Sequence, residues 1–367
     1  MRVLTINAGS SSLKVRLLGP ADEVLATRDL PAERGRLAAG ALETVLAELD
    51  TPDVIAHRVV HGGPRYSGPV LLDDAVLTEL ERLVDLAPLH QLSALAMIRA
   101  TARCRPGTPA VACFDTAFHA AMPDVASTYA IPARWRHELG VRRYGFHGLA
   151  HEWAAQRARE LLGPVERIVV AHLGSGASLC AVRHGRSVDT TMGFTPTAGL
   201  VMGTRCGDLD PAVPLWLVQR GLAVDDVNRA IEHQSGLAAL AGTADMKAVL
   251  ALETGGDPDA TLAVGVWLHR LRAGIAAMVS ALGGIDALVF SGGVGEHSPE
   301  LRRRALDSLG FLGLALDNPR NTAAAGCGVD SEVGSVGGPV RVLVVHARED
   351  LVMARHARTV LGDVLTC

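Results

Sequence analysis

Short apolar runs, many of them β-branched, recur along the chain at residues 3–6, 54–60, 111–114, 168–171, 177–182, 287–290 and 340–345. Each is stopped by glycine, proline or a polar residue, and each predicts a buried strand. Between them, residues 37–49, 75–86, 93–103, about 148–162, 212–234, 259–282 and 350–361 carry apolar residues at helical spacing. In 75–86 the positions Val76, Leu77, Leu80, Leu83 and Val84 form one stripe. Strands alternating with helices predict an α/β fold with at least partly parallel sheets.

Two of the strand ends have the same character. The first run is broken by Asn7 and Gly9, followed by Ser10, Ser11, Ser12 and Lys14; the run at 168–171 is broken by His172-Leu173-Gly174-Ser175-Gly176 and then leads into 177–182. A Gly/Ser turn between strands exposes backbone N–H groups in a concavity that suits anions, and Lys14 adds a point charge suited to phosphate. An ordinary hairpin with a polar turn fits the same residues. One such unit in each half of the chain predicts a duplicated architecture.

Polar residues within and just after the strands are the next signal. Arg58 lies inside the apolar run 54–60, on the face opposite His57, Val59 and His61, and must find a carboxylate or an anion. Asp115 follows the run 111–114, at the carboxyl end of a strand, where ligands gather in open α/β sheets. A capping role would equally account for it. His147 and His151 have the i, i+4 spacing of helical metal ligands, but Gly148 separates them and no third ligand stands near. Residues 187–211 contain Gly193, Gly199, Gly203 and Gly207, which disfavour a regular element, and they present Arg205 between two glycines. Further glycine-rich or polar strand exits occur at 291–298 and 346–350, and the segment 242–247 opens another helix.

Composition narrows the classes. At 367 residues the chain has room for two domains, and 49% hydrophobic with 20% charged residues is ordinary for a globular protein. A net charge of −4 and 4% aromatics argue against nucleic-acid binding by a basic surface or by base stacking. Six cysteines without CxxC spacing make no disulfide scaffold. The N-terminus lacks a signal-peptide layout and no uninterrupted apolar run reaches 18 residues, so a cytoplasmic protein without a membrane partner is expected.

Nine segments in order resemble one family: INAGSSSLK at 6–14, HRVVHGG at 57–63, APLH at 87–90, FDTAFH at 114–119, RRYGFHG at 142–148, HLGSGAS at 172–178, SVDTTMGFTP at 187–196, GLVMGTRCGDLDP at 199–211 and GGVGEHS at 292–298. The chain resembles the acetate kinase family, within the superfamily of acetate and sugar kinases, heat-shock cognate proteins and actin. The resemblance implies reversible phosphoryl transfer from ATP to acetate, giving ADP and acetyl phosphate, with Mg²⁺ or Mn²⁺, in a homodimer. It implies a two-lobed, duplicated actin-like ATPase fold of ribonuclease H-like type around a central cleft. Residues 1–119 with 350–367 would form the lobe for acyl substrate and phosphate, and 120–349 the nucleotide lobe.

Carried over by residue, Asn7 and Glu349 would hold the metal, and Lys14, Ser10 and Ser12 would face phosphate. His172, Leu173, Gly174, Ser175 and Gly176 would cradle phosphates from the other lobe. Asp245, Met246 and Lys247, with Gly293, Val294, Gly295, Glu296 and His297, would line the nucleotide site. Arg58 and Arg205 would clamp the acetate carboxylate and the moving phosphoryl, His147 and His172 would stabilise its charge, and Asp115 would orient the arginines or the acceptor. Val60, Leu89, His90, Phe146 and Pro196 would surround the acetate. Kinases of the same family acting on propionate or butyrate, and a non-catalytic protein with the ATPase fold, are the alternatives. The chain departs from the family pattern at Gln91, Ser175, Lys247, His297 and the segment His346-Ala347-Arg348-Glu349.

Overall fold

The computed structural model describes residues 1–9, 12–32, 37, 38 and 40–366, and of 88–90 and 363–366 the backbone alone. Ser10 and the side chains of Leu89 and His90 therefore lie outside the described residues. The chain divides into two compact units, one of Met1–Ala120, Phe146–Trp153 and Arg348–Cys367, the other of Ala121–Gly145 and Ala154–Ala347.

The sheet of the first unit is built from β1 (Val3–Ala8), β2 (Ser12–Leu18), β3 (Val24–Pro31), β4 (Val54–Val59), β5 (Val70–Leu71) and β6 (Ala110–Phe114), in the order β3-β2-β1-β4-β6-β5. The second unit has β7 (Arg167–Leu173), β8 (Ala177–Arg183), β9 (Arg186–Thr190), β10 (Ala287–Ser291), β11 (Ser331–Glu332) and β12 (Arg341–Val344), in the order β9-β8-β7-β10-β12-β11. In both sheets the first three strands form an antiparallel meander, the next two join in parallel, and a two-residue strand closes the edge antiparallel. The duplication expected from the two Gly/Ser turns is thus present strand for strand. Asn7 pairs with Lys14 as His172 pairs with Ser178, so the two polar breaks occupy equivalent positions.

Alternation along β1 sends Leu4 and Ile6 into an apolar cluster with Leu42 and Leu46 of the helix Ala41–Glu48. It leaves Asn7 on the opposite face, where the helix Glu349–Thr366 crosses β1, β4 and β6. In the second unit the helix Pro258–Leu282 packs on β7, β8 and β9. It is long and apolar enough by length and composition to cross a membrane, yet it carries His269, Arg270 and Arg272, and it buries Val264, Leu268, Leu271 and Ile275. We read it as the core helix of that unit.

Some elements differ from the sequence expectation for identifiable reasons. β3 was not expected because its residues lack the alternation of a half-buried strand: it is an edge strand with no buried side chain. The stretch 212–234 is two helices, Ala212–Gln219 and Val224–His233, divided at Gly221, whose φ of 96° no helix accommodates. The first residues of the glycine-rich stretch 187–211 belong to strand β9.

Candidate active site

In the first unit the carboxyl ends of β1, β4 and β6 bring four polar side chains together. Arg58 donates from Nε to both oxygens of Asp115 at 3.1 Å and from Nη2 to Asp115 Oδ2 at 2.6 Å. Its Nη1 donates to Asn7 Oδ1 at 3.1 Å, and Asn7 Nδ2 donates to Glu349 Oε2 at 2.5 Å. Glu349 is the first residue of the helix Glu349–Thr366. Burial works against the charge of Arg58, but the Asp115 and Glu349 carboxylates outweigh it and raise its pKa above the ordinary arginine value. Burial pushes the Asp115 carboxyl up, with the Glu349 carboxylate adding to it, and the two-pronged bond to the Arg58 guanidinium pulls against that rise. The salt bridge that would satisfy a strand arginine is therefore present, and it also fixes the plane of the guanidinium. Lys14 is exposed on the strand opposite Asn7.

His147 lies just before the helix Gly148–Leu162 and has a φ of 57°, in the left-handed region that only a few non-glycine residues adopt. Gly148 donates its N–H to the Asp115 carbonyl at 2.9 Å. A Cβ on Gly148 would lie 2.1 Å from that oxygen, so no other residue permits this approach. His151 ends up 6.5 Å from His147, ring to ring, and neither joins a group of three or more metal-type side chains among the described residues. Val60 and Phe146, expected to wall the methyl group, are buried in this unit.

In the second unit the turn after β7 is closed by Gly174 N–H donating to the Gly176 carbonyl at 2.9 Å. The loop carrying Arg205 rests on that turn, because Gly203 N–H donates to the Ser175 carbonyl at 2.9 Å. Arg205 Nη1 donates to the Pro196 carbonyl at 3.3 Å. Thus His172 to Gly176, Pro196 and Arg205 share one region. Gly236 allows the loop to fold there: its φ is 65° and an added Cβ would meet the Met202 carbonyl at 2.2 Å. Asp245 caps the helix Met246–Thr254, accepting from Lys247 N–H at 3.0 Å; Asp245 and Lys247 are exposed and Met246 is buried. The exit of β10 is a short helix, Gly292–His297, in which Gly293 and His297 are exposed. Glu296 turns inward, its Oε1 accepting from Gly292 N–H at 2.8 Å and Ala347 N–H at 3.0 Å. Sequence reading missed Arg302, fully buried and donating to the carbonyls of Gly295 (2.7 Å) and Glu296 (2.9 Å). In a run of three arginines it reads as one more solvated charge.

Residues 36–355 match the model of the acetokinase family. The chain belongs to this family. Among similar acetokinases is the acetate kinase of Deinococcus radiodurans, 42% identical over an alignment of 397 residues that covers 99% of this chain and 98% of the relative. The acetate kinase of Leifsonia xyli is 43% identical, covering 97% and 98%. Solved structures agree: an acetate kinase from Porphyromonas gingivalis superimposes with a TM-score of 0.88 at 33% identity, covering 98% of this chain and 99% of that one. A propionate kinase from Francisella tularensis gives a TM-score of 0.89 at 32% identity with the same coverage. The two six-stranded units are the duplicated, two-lobed fold of the acetokinases.

Acetokinases are kinases with ATP and ADP as cosubstrates. The amide oxygen of Asn7, which accepts from Arg58, and the carboxylate of half-buried Glu349 are hard donors of the kind a magnesium ion takes alongside phosphate and water. The residues expected to hold it therefore fit, although no cage of three or more His, Cys, Asp or Glu occurs among the described residues.

Proposed function

We propose that the protein catalyses reversible phosphoryl transfer between ATP and acetate, forming acetyl phosphate by direct in-line attack of the acetate carboxylate. The observation that carries this reading is the Arg58–Asp115–Asn7–Glu349 cluster at the strand ends of a chain of the acetokinase family. Phosphoryl transfer asks little covalent chemistry of the protein; it needs positioning and positive charge around the equatorial oxygens. Arg58 supplies that charge in a plane set by Asp115, and Arg205, His147 and His172 add donors. Carboxylate is already ionised at neutral pH, so the acceptor needs no general base and Asp115 acts as an orienting group. Asn7 and Glu349 would hold Mg²⁺ (or Mn²⁺), which would shield the phosphate charge. Asp245, Lys247 and the exposed residues Gly293 and His297 would face the nucleotide, and Lys14, Ser10 and Ser12 the phosphates. Val60, Leu89, His90, Phe146 and Pro196 would set the acyl size. A homodimer and a cytoplasmic location belong to the same reading.

The test is to incubate the protein with ATP, Mg²⁺ and acetate, propionate or butyrate, trapping acyl phosphate with hydroxylamine and measuring ADP. Acetate should give the highest kcat/KM and propionate a lower one, since one methylene in an apolar pocket shifts selectivity by about 10–200-fold. A preference for butyrate would reject the small pocket, and pyrophosphate outperforming ATP would reject the nucleotide as donor. No acyl phosphate from any acid would reject the activity itself.

A further inference from the structure

Strand β6 runs directly into the segment Asp115–His119, and this segment touches the backbone on both sides of His147. Before His147, the buried His119 ring places Nε2 3.0 Å from the Phe146 carbonyl. After it, Gly148 N–H donates to the Asp115 carbonyl at 2.9 Å. His151 N–H also bonds the His147 carbonyl at 2.9 Å, closing the first helical turn. A non-glycine residue at positive φ costs on the order of 1–3 kcal/mol and persists only where its surroundings over-determine it. The bonds at Phe146 and Gly148 are such surroundings. We propose that His119 is a positioning residue: by holding the Phe146 carbonyl it keeps His147 in its left-handed conformation beside Asp115. This rests on the catalytic role given to His147 above.

The chemistry of the contact assigns the ring. A carbonyl oxygen only accepts, so Nε2 of His119 carries the proton. Burial lowers the pKa of His119 to about 4, so the ring is neutral at pH 7 and that proton is its only one. The His151 ring packs edge-on at 5.7 Å and holds the plane of His119. Asparagine at this position would be too short to reach the carbonyl, whereas glutamine can place an N–H near Nε2. The strand end that supplies Asp115 to Arg58 therefore also sets the histidine expected to meet the same phosphoryl group.

The experiment compares His119→Leu, His119→Asn and His119→Gln, each alone and combined with His147→Ala. Leu and Asn should lower kcat roughly 10–100-fold, as misplacement of a catalytic group by about 1 Å does, with KM for ATP changed less than about twofold. Gln should recover most of the loss. In the His147→Ala background the His119 changes should cost almost nothing more, because His119 acts through His147. Normal kcat in the Asn variant, or losses that simply add to that of His147→Ala, would overturn the proposal; if the Leu variant does not fold, the Asn variant decides. Independently of activity, the His119 Nε2–H should appear in the NMR spectrum as a slowly exchanging imidazole proton, and its absence would refute the hydrogen bond. An inactive wild-type protein that shows this proton would reject the proposed reaction and leave the positioning intact.

Discussion

Arg58 stands near the carboxyl end of an apolar strand with its side chain 14% exposed, against an Asp115 carboxylate that is 1% exposed. Removing one partner of a buried ion pair leaves the other charge uncompensated, a change that costs about 3–5 kcal/mol. Arg58→Ala is therefore expected to lower both stability and kcat, the latter by roughly 10²–10³-fold, the loss of a preorganised donor. Arg205→Ala removes, among its contacts, the bonds to the Pro196 carbonyl and to the Met202 thioether, and should cost a similar factor in kcat. Adding Asp115→Asn to Arg58→Ala should recover much of the stability and none of the rate. Thermal melts and steady-state kinetics on these variants separate the two roles of Arg58. A near-normal kcat in either alanine variant would make that arginine structural.

The short helix Gly292–His297 is the element through which β10 reaches the expected nucleotide site, and six residues cannot hold themselves in place. Two buried side chains fasten it. Glu296 satisfies the N–H of Gly292, and Arg302 caps the carbonyls of Gly295 and Glu296 while its Nε and Nη2 bond Asn321 Oδ1 and O at 2.7 and 2.8 Å. Burial lowers the Arg302 pKa to about 10, still well above neutrality, so the side chain stays a cation bonded to neutral oxygens. Replacing it by leucine leaves several buried carbonyls without a donor, at about 1–3 kcal/mol each. Arg302→Leu should lower Tm by more than most single substitutions and raise KM for ATP more than it lowers kcat. Unchanged ATP affinity in a folded Arg302→Leu protein would separate this helix from the nucleotide.

At the scale of the molecule, buried histidines make stability depend on pH. His57, His61 and His119 are pushed down to about 3, 4 and 4, in each case chiefly by burial. All three are neutral in the folded protein above those values, whereas in the unfolded chain they take up a proton near 6.5. Between pH 6.5 and about 4 the unfolded state binds more protons, so stability rises with pH there and is lost as pH falls, by about 1.4 kcal/mol per pH unit for each ring. Tm should be nearly flat between pH 7 and 8 as far as these rings are concerned, then fall steadily below 6.5. In His57→Gln the descent should be shallower; an equal slope would assign the acid sensitivity to other groups.

The sequence by itself determined the local features: the apolar runs that became strands, the glycine turns that mark the duplication, and the motifs that place the chain among the acetokinases. These are legible because strand and helix periods, turn chemistry and motif spacing are properties of neighbouring residues. Tertiary structure decided which charge meets which. Arg58 finds Asp115 57 residues away, and Asn7 finds Glu349 342 residues away, only because sheet order brings β1, β4 and β6 side by side beneath the final helix. It also decided that Glu296 and Arg302 face inward, that β3 forms with no apolar alternation to announce it, and that Gly148 must be glycine because a carbonyl lies against it. Burial, partner choice and close backbone approach arise from contacts between distant segments, and no local pattern in the chain carries them.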